Sequence, residues 1–260
     1  MISSQPDIIN DHIAFRTMGV PHLGIRSLEK IFLHYGYTKE DHYRFKAKKL
    51  NAYWYKPPHD SINLPRIFIS ELNVNELSLD AQQLIKTYTN EVANDPVQHL
   101  DLNHAPSIDH FLHSPLWSTP SLEDYQRLQQ ESEYASWVIY NRYYLNHFTI
   151  SVHALPHPYN NLSVFNQFLE SIGILLNDAG GKIKTSEDGY LRQSATVAEQ
   201  VSATFPTHSS KKTIDIAGSY VEFAERGMMP SGERRDGFEV SNADKIFEST
   251  YSDQIDKNIS

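Results

Sequence analysis

Two stretches of this chain repeat one pattern. "DHIAFRT" at 11–17 and "NHFTISV" at 146–152 each set an acid or amide before a histidine and then run on in strand-like alternation. Each copy is followed by a helix-spaced segment and then by further strand-like runs. A duplication of this kind constrains the fold strongly: it predicts two related modules whose sheets combine around a cleft.

In the first half, the strand pattern covers residues 7–17. "GIRSLEKIFLHYGY" then places apolar residues at 25, 28, 31, 32 and 35, one face of a helix closed by Gly36. Three aromatic and β-branched runs follow at 42–47, 50–57 and 65–72, which gives the order β-α-β-β-β. The second half repeats it roughly. A strand is expected over 144–155 and a helix over 161–181, with apolar positions 162, 165, 168, 169, 172, 175 and 176 and a Gly180 cap. Strand candidates follow at 182–187, 189–197, 211–217 and 219–227. Residues 74–140 differ. Two helical patterns there flank a His- and Pro-rich stretch, "HLDLNHAPSIDHFLHSPLWSTP", read as a loop because Pro106 and Pro115 interrupt it. The expected class is therefore α+β: two βαβββ modules, about 7–73 and 144–251, forming a curved sheet around a cleft. A helical insertion separates them, and no Pro/Ser-rich linker does, so one compact unit of 1–260 is expected.

Composition removes several function classes. The net charge of −9 argues against nucleic acid as a partner. No apolar run reaches the length of a membrane span. "MISSQPDIINDH" lacks the basic-then-apolar order of a secretory leader, so a cytoplasmic protein is expected. With no cysteine, thiolate catalysis and cysteine metal sites are excluded, and any metal must sit on His, Asp or Glu.

Strand parity sorts the candidates, because side chains two apart share a face. His12, Ala14 and Arg16 align opposite Ile13 and Phe15. His147, Thr149, Ser151 and His153 align opposite Phe148, Ile150 and Val152. Tyr220, Glu222, Ala224 and Arg226 align opposite Val221, Phe223 and Glu225. If the apolar sides pack on helices, the polar sides converge, and His12, His147 and Glu222 make a two-histidine, one-carboxylate set with open coordination positions. That set suits iron(II) working on oxygen better than a closed structural zinc. The competing reading leaves both histidines merely hydrogen-bonded and Glu222 an exposed strand residue. Glu225 rivals Glu222 from the wrong face, and His153 rivals His147 from about 20 Å along the strand. Arg16, about 13 Å along from His12, suits a carboxylate, with a salt bridge as the plainer alternative. Arg226, on the Glu222 face, and Arg234–Arg235 in "GERRDGF" are candidates for a second carboxylate clamp, with a solvated run as the plainer alternative. Ser194 and Thr196 are hydroxyl candidates for the same ligand, with a strand edge as their duller role. His104, Asp109, His110 and His113 are read as loop or lid residues.

Taken together, "DHIAFRT", "NHFTISVH", "GYLRQSATVAE", "SYVEFAERG" and "RRDGFEVSNADKIFEST" resemble the 2-oxoadipate dioxygenase/decarboxylase (hydroxyglutarate synthase) family, from about residue 8 to 251. The resemblance implies a vicinal-oxygen-chelate-like fold, with iron(II) on His12, His147 and Glu222 and a substrate-binding Arg16. It implies oxidative decarboxylation of a 2-oxo diacid, 2-oxoadipate, by O2 to 2-hydroxyglutarate and CO2, without a separate 2-oxoglutarate. The alternatives are a metal-dependent isomerase or lyase of the same fold, or a small-molecule binding module that keeps the repeat but not the metal.

Overall fold

The structure, a computed structural model, describes residues 8–58 and 64–256. Asp7, the first residue of the expected opening strand, lies outside them. The first half runs β1 (Asn10–Met18), α1 (Ile25–His34), β2 (Thr38–Phe45), β3 (Leu50–Lys56) and β4 (Arg66–Leu72). Then come four helices, α2 (Leu79–Thr89), α3 (Ala105–His113), α4 (Leu122–Glu131) and α5 (Glu133–Asn141). The second half runs β5 (His147–Ser151), α6 (Leu162–Ser171), β6 (Lys184–Thr185), β7 (Leu191–Ala195), β8 (Gln200–Pro206), β9 (Lys211–Ala217) and β10 (Tyr220–Arg226). It ends in α7 (Val240–Ile246), a 3-10 turn (Phe247–Thr250) and α8 (Ser252–Ile255).

One eight-stranded sheet, ordered β2-β3-β4-β1-β5-β10-β7-β6, passes through both halves. Its symmetry is the duplication made visible. Outward from the central β1–β5 pair, each half places its fourth sheet strand (β4 or β10) parallel to its first, and the third and second antiparallel beyond that. β1 and β5 join antiparallel, so the two histidine strands lie side by side. The expected curved sheet of paired βαβββ modules is what the chain forms.

The two faces of the sheet are covered differently. α1 packs against β4, with Phe15 on Phe32, and α6 packs against β7 and β10. α1 buries Ile25, Leu28, Ile31 and Phe32. The opposite face carries the even-numbered side chains of β1 and is covered by α5, α7 and the 247–250 turn. Among the described residues no helix is long and apolar enough to cross a membrane.

Four local expectations change. Pro106 stands in the first turn of α3 instead of breaking a helix, because the first turn has no N–H bond for proline to lose. The helical pattern that follows the His- and Pro-rich stretch is two helices, α4 and α5, restarted at Ser132, whose hydroxyl accepts from the Ala135 N–H. α6 stops at Ser171 rather than near Gly180. Gly173, at φ +86°, turns the chain there and leaves Ile172 and Leu175 exposed. Finally, the strand expected over 211–217, β9, leaves the sheet and pairs with β8, a strand outside the expected runs, in a two-stranded ribbon inserted ahead of the module's last strand.

Candidate metal centre

Three neighbouring strands bring the candidate ligands together at the middle of the sheet. His12 on β1 is in register with Thr149 on β5, and Thr149 with Glu222 on β10. His147 sits two residues along, beside Tyr220. The Nε2 atoms of His12 and His147 are 3.4 Å apart, and Glu222 Oε2 is 3.5 Å from the first and 3.3 Å from the second. All three side chains are buried. Their spacing suits one ion with bonds of about 2.0–2.2 Å to nitrogen and oxygen.

Each histidine is turned by its sequence neighbour. Asp11 Oδ1 lies 2.9 Å from His12 Nδ1, and Asn146 Oδ1 lies 3.1 Å from His147 Nδ1. An Nδ1–H donated to these oxygens turns both Nε2 atoms toward the centre, where the Thr149 hydroxyl lies 2.9 Å from that of His12. The repeated acid-or-amide before each histidine is thus a repeated orienting partner. An irregularity in the β1–β5 register between Asn10 and His12 lets Asp11 and His12 both be buried.

The electrostatics follow from burial and proximity. Burial disfavours the charged form of each group. The His12 pKa nevertheless ends raised, because the Glu222 and Asp11 carboxylates outweigh burial. For His147 burial wins and lowers it to about 4. Glu222 is held down to about 2, since the two imidazoles outweigh burial. A carboxylate beside imidazole lone pairs is a donor set ready for a divalent cation.

The remaining candidates divide. Arg16 lies on the histidine face, 1% exposed, with no carboxylate within salt-bridge distance among the described residues. Its guanidinium sits among the rings of Tyr134, Trp137 and Phe247 and donates to Thr250 Oγ1 and the Phe247 carbonyl, while Nε has no partner. The Tyr220 hydroxyl, also buried, lies beside Arg16 without a hydrogen bond of good geometry. Burial raises the Tyr220 pKa, and the nearby Arg16 charge opposes that rise. The Tyr220 ring stacks on His147 at 4.5 Å.

The other arginines and hydroxyls are corrections. Arg226 is equally buried, but its guanidinium spans Asp11 (2.6 and 2.9 Å) and donates to the carbonyls of Arg235 and Gly237, so it has nothing to offer a ligand. Arg235 faces Asp188 and the carbonyls of Asp236 and Phe238. Ser194 pairs with Phe223 on the α6 side of the sheet and donates to Asn166. Thr196 accepts from the Val221 N–H and lines an outer groove with Phe148 and Leu175. Among the two rivals, Glu225 caps the start of α6 at the Leu162 N–H. His153 falls in a 3-10 turn after a shorter β5 and accepts from the Arg226 N–H. His104, Asp109, His110 and His113 are exposed on or beside α3.

Two residues that sequence reasoning passed over stand in their place. Gln193, on the inward face of β7, donates to Glu222 Oε1 at 2.5 Å. Parity with Leu191 and Ala195 would have found it. Phe238 sets its ring edge-on to His12 at 4.8 Å. With Phe68, Ala243, Ile246 and Phe247 it walls the triad into a cavity of about 20 Å³, room for about one water.

Comparison with known proteins gives this geometry a context. The family model for 2-oxoadipate dioxygenase/decarboxylase matches residues 1–234. The chloroplastic 2-oxoadipate dioxygenase/decarboxylase of Arabidopsis thaliana is 44% identical over 267 residues, covering 95% of this chain and 69% of that protein. Its chloroplastic/amyloplastic counterpart in Oryza sativa is 43% identical, covering 95% and 71%. The crystal structure of hydroxyglutarate synthase in complex with 2-oxoadipate from Oryza sativa superposes with a TM-score of 0.88 at 42% identity, over 98% of this chain and 85% of that one. The plastid names of the plant relatives overturn the cytoplasmic expectation, which rested only on the lack of a leader-like pattern. On the family match and the identity to these relatives, the chain belongs to the 2-oxoadipate dioxygenase/decarboxylase family.

Proposed function

We propose that this protein is an iron(II)-dependent dioxygenase/decarboxylase that takes 2-oxoadipate and O2 to 2-hydroxyglutarate and CO2, with His12, His147 and Glu222 as metal ligands and Arg16 as the substrate's carboxylate anchor. The balance closes: C1 leaves as CO2 with its own two oxygens, one oxygen of O2 enters the carboxylate formed at C2, and the other becomes the new hydroxyl. The observation that carries the reading is the pairing, on one buried face, of an open His-His-Glu set with an arginine that has no acid of its own among the described residues. Bound iron(II) would supply a chelation point for the 2-oxo acid and the electrons that activate O2.

The chain's own residues do the rest. Asp11 and Asn146 hold the imidazoles with Nε2 forward. Arg16, through its unpartnered Nε–H, receives the distal carboxylate, and the Tyr220 hydroxyl stands beside the guanidinium. The Phe68, Phe238 and Phe247 rings exclude water from the reacting end. A six-carbon diacid exceeds the space of about 20 Å³ beside the triad, so its admission requires the wall formed by Phe238 and α7 to give way.

Protein loaded anaerobically with iron(II) and mixed with 2-oxoadipate is expected to consume O2 and release CO2 and 2-hydroxyglutarate in equal amounts. Turnover with zinc and no O2 would favour the isomerase or lyase alternative. Full metal retention in His12→Ala and Glu222→Ala would sink the ligand assignment.

A further inference from the structure

We infer that Gln193, locked by Asn242 of α7, is a positioning residue that holds Glu222 to a single metal-binding oxygen and so keeps one coordination position open. The inference rests on the metal-site reading above. Glu222 presents its two oxygens to different partners. Oε2 faces both histidine Nε2 atoms, at 3.5 and 3.3 Å, while Oε1 accepts the Gln193 amide N–H at 2.5 Å. A carboxylate whose second oxygen is held by a strong donor is disfavoured from swinging both oxygens onto one ion.

The donor's orientation is itself fixed. An amide can flip, and Gln193 would then turn its carbonyl toward Glu222, oxygen against oxygen. The flip is blocked because Gln193 Oε1 already accepts from Asn242 Nδ2 at 2.9 Å, and Asn242 Nδ2 has only carbonyl oxygens for its other neighbours, those of Lys184 and Leu191. Both amides are buried, so neither exchanges its partner for water. The relay Asn242–Gln193–Glu222 starts on α7, whose Ala243 and Ile246 wall the cavity. The seating of α7 is thereby reported to the ligand. When α7 lifts, Gln193 loses its lock and Glu222 gains freedom to change its binding mode.

The test uses manganese(II)-loaded protein and water-proton relaxation, which counts exchangeable waters on the ion without turnover. Wild type, with three single-atom ligands on an octahedral ion, retains about three open positions. Gln193→Leu should lower the water count by about one third as Glu222 closes a second bond. It should also weaken 2-oxoadipate binding about tenfold, because the substrate must displace that bond. Asn242→Ala should give a smaller change in the same direction, and it carries the test if Gln193→Leu does not fold. Ser194→Ala, on the same strand but the other face, controls for a purely structural loss and should leave the water count at the wild-type value. An unchanged count and unchanged 2-oxoadipate affinity in both Gln193→Leu and Asn242→Ala would overturn the inference. Failure of wild type to bind manganese(II), or binding undisturbed by Glu222→Ala, would overturn the site reading instead.

Discussion

Two arginines frame the centre, and they differ in one respect. Arg16 stands four residues after His12 on β1, and Arg226 four residues after Glu222 on β10. Both lie on the inner face and both are 1% exposed. Arg226 has its acid: Asp11 grips it with two oxygens, and two carbonyls take its other end. Among the described residues Arg16 has no acid, three aromatic rings and an idle Nε. A buried cation with no counter-charge is costly to the fold, and that cost is intelligible where an anionic ligand supplies the missing charge. The same residue type, four places after a candidate ligand on each of two strands, thus meets an acid in one case and, under the proposed function, an anionic ligand in the other.

The largest effect expected concerns Arg226. Arg226→Met takes from the buried Asp11 carboxylate its two-point cation and leaves it only the more distant Arg66, at 3.6 Å; breaking such a buried pair costs about 3–5 kcal/mol. Because Asp11 also orients His12, metal affinity should fall by about 10–100-fold. Urea unfolding of metal-free protein and a metal titration check the two halves separately. If stability held and only turnover fell, Arg226 would belong with Arg16 as a ligand-facing group.

Next is Arg16. Arg16→Met keeps the volume, removes the uncompensated charge, and should leave the unfolding midpoint at or above the wild-type value. Its kcat/KM for 2-oxoadipate should drop by about 2–5 kcal/mol, a factor of roughly 30 to several thousand. A loss of stability matching that of Arg226→Met would erase the distinction between the two arginines.

How much of this was legible in sequence depends on how far apart the partners lie. The His12, His147 and Glu222 set needed only parity within three short strands and the duplication that pairs two of them. The roles of Asp11 and Asn146 were within reach, since the acid or amide before each histidine is part of the repeat. The environments of the arginines were out of reach. Arg16 meets Thr250 across 234 residues, and Arg226 meets Asp11 across 215, pairings that no local pattern encodes. Ser194 was chosen for its hydroxyl although Gln193 holds the inward face, an error of chemistry over parity. The β8–β9 ribbon has the same alternation as a sheet strand, so periodicity could not separate them.

The smallest effect expected is also the most discriminating, since it asks whether an acid is present at all. Burial alone would raise the Asp11 pKa, but Arg226 and His12 hold it well below the ordinary aspartate value of 3.8. The sign is that of a depressed carboxylate: its contribution to stability is fully present above the unfolded-state pKa and is lost as pH falls toward the folded-state one. Arg226→Met removes the main cause of the depression. In metal-free protein the stability gap between wild type and Arg226→Met should therefore narrow by about 1.4 kcal/mol per pH unit just below pH 4. The gap between wild type and Arg16→Met should stay flat over the same range, because no carboxylate pairs with Arg16 to be titrated. Unfolding measured at closely spaced pH values between 5 and 3 would separate the two slopes. Parallel slopes would mean that Arg16 has a hidden acidic partner, and its assignment as a ligand anchor would lose its physical basis.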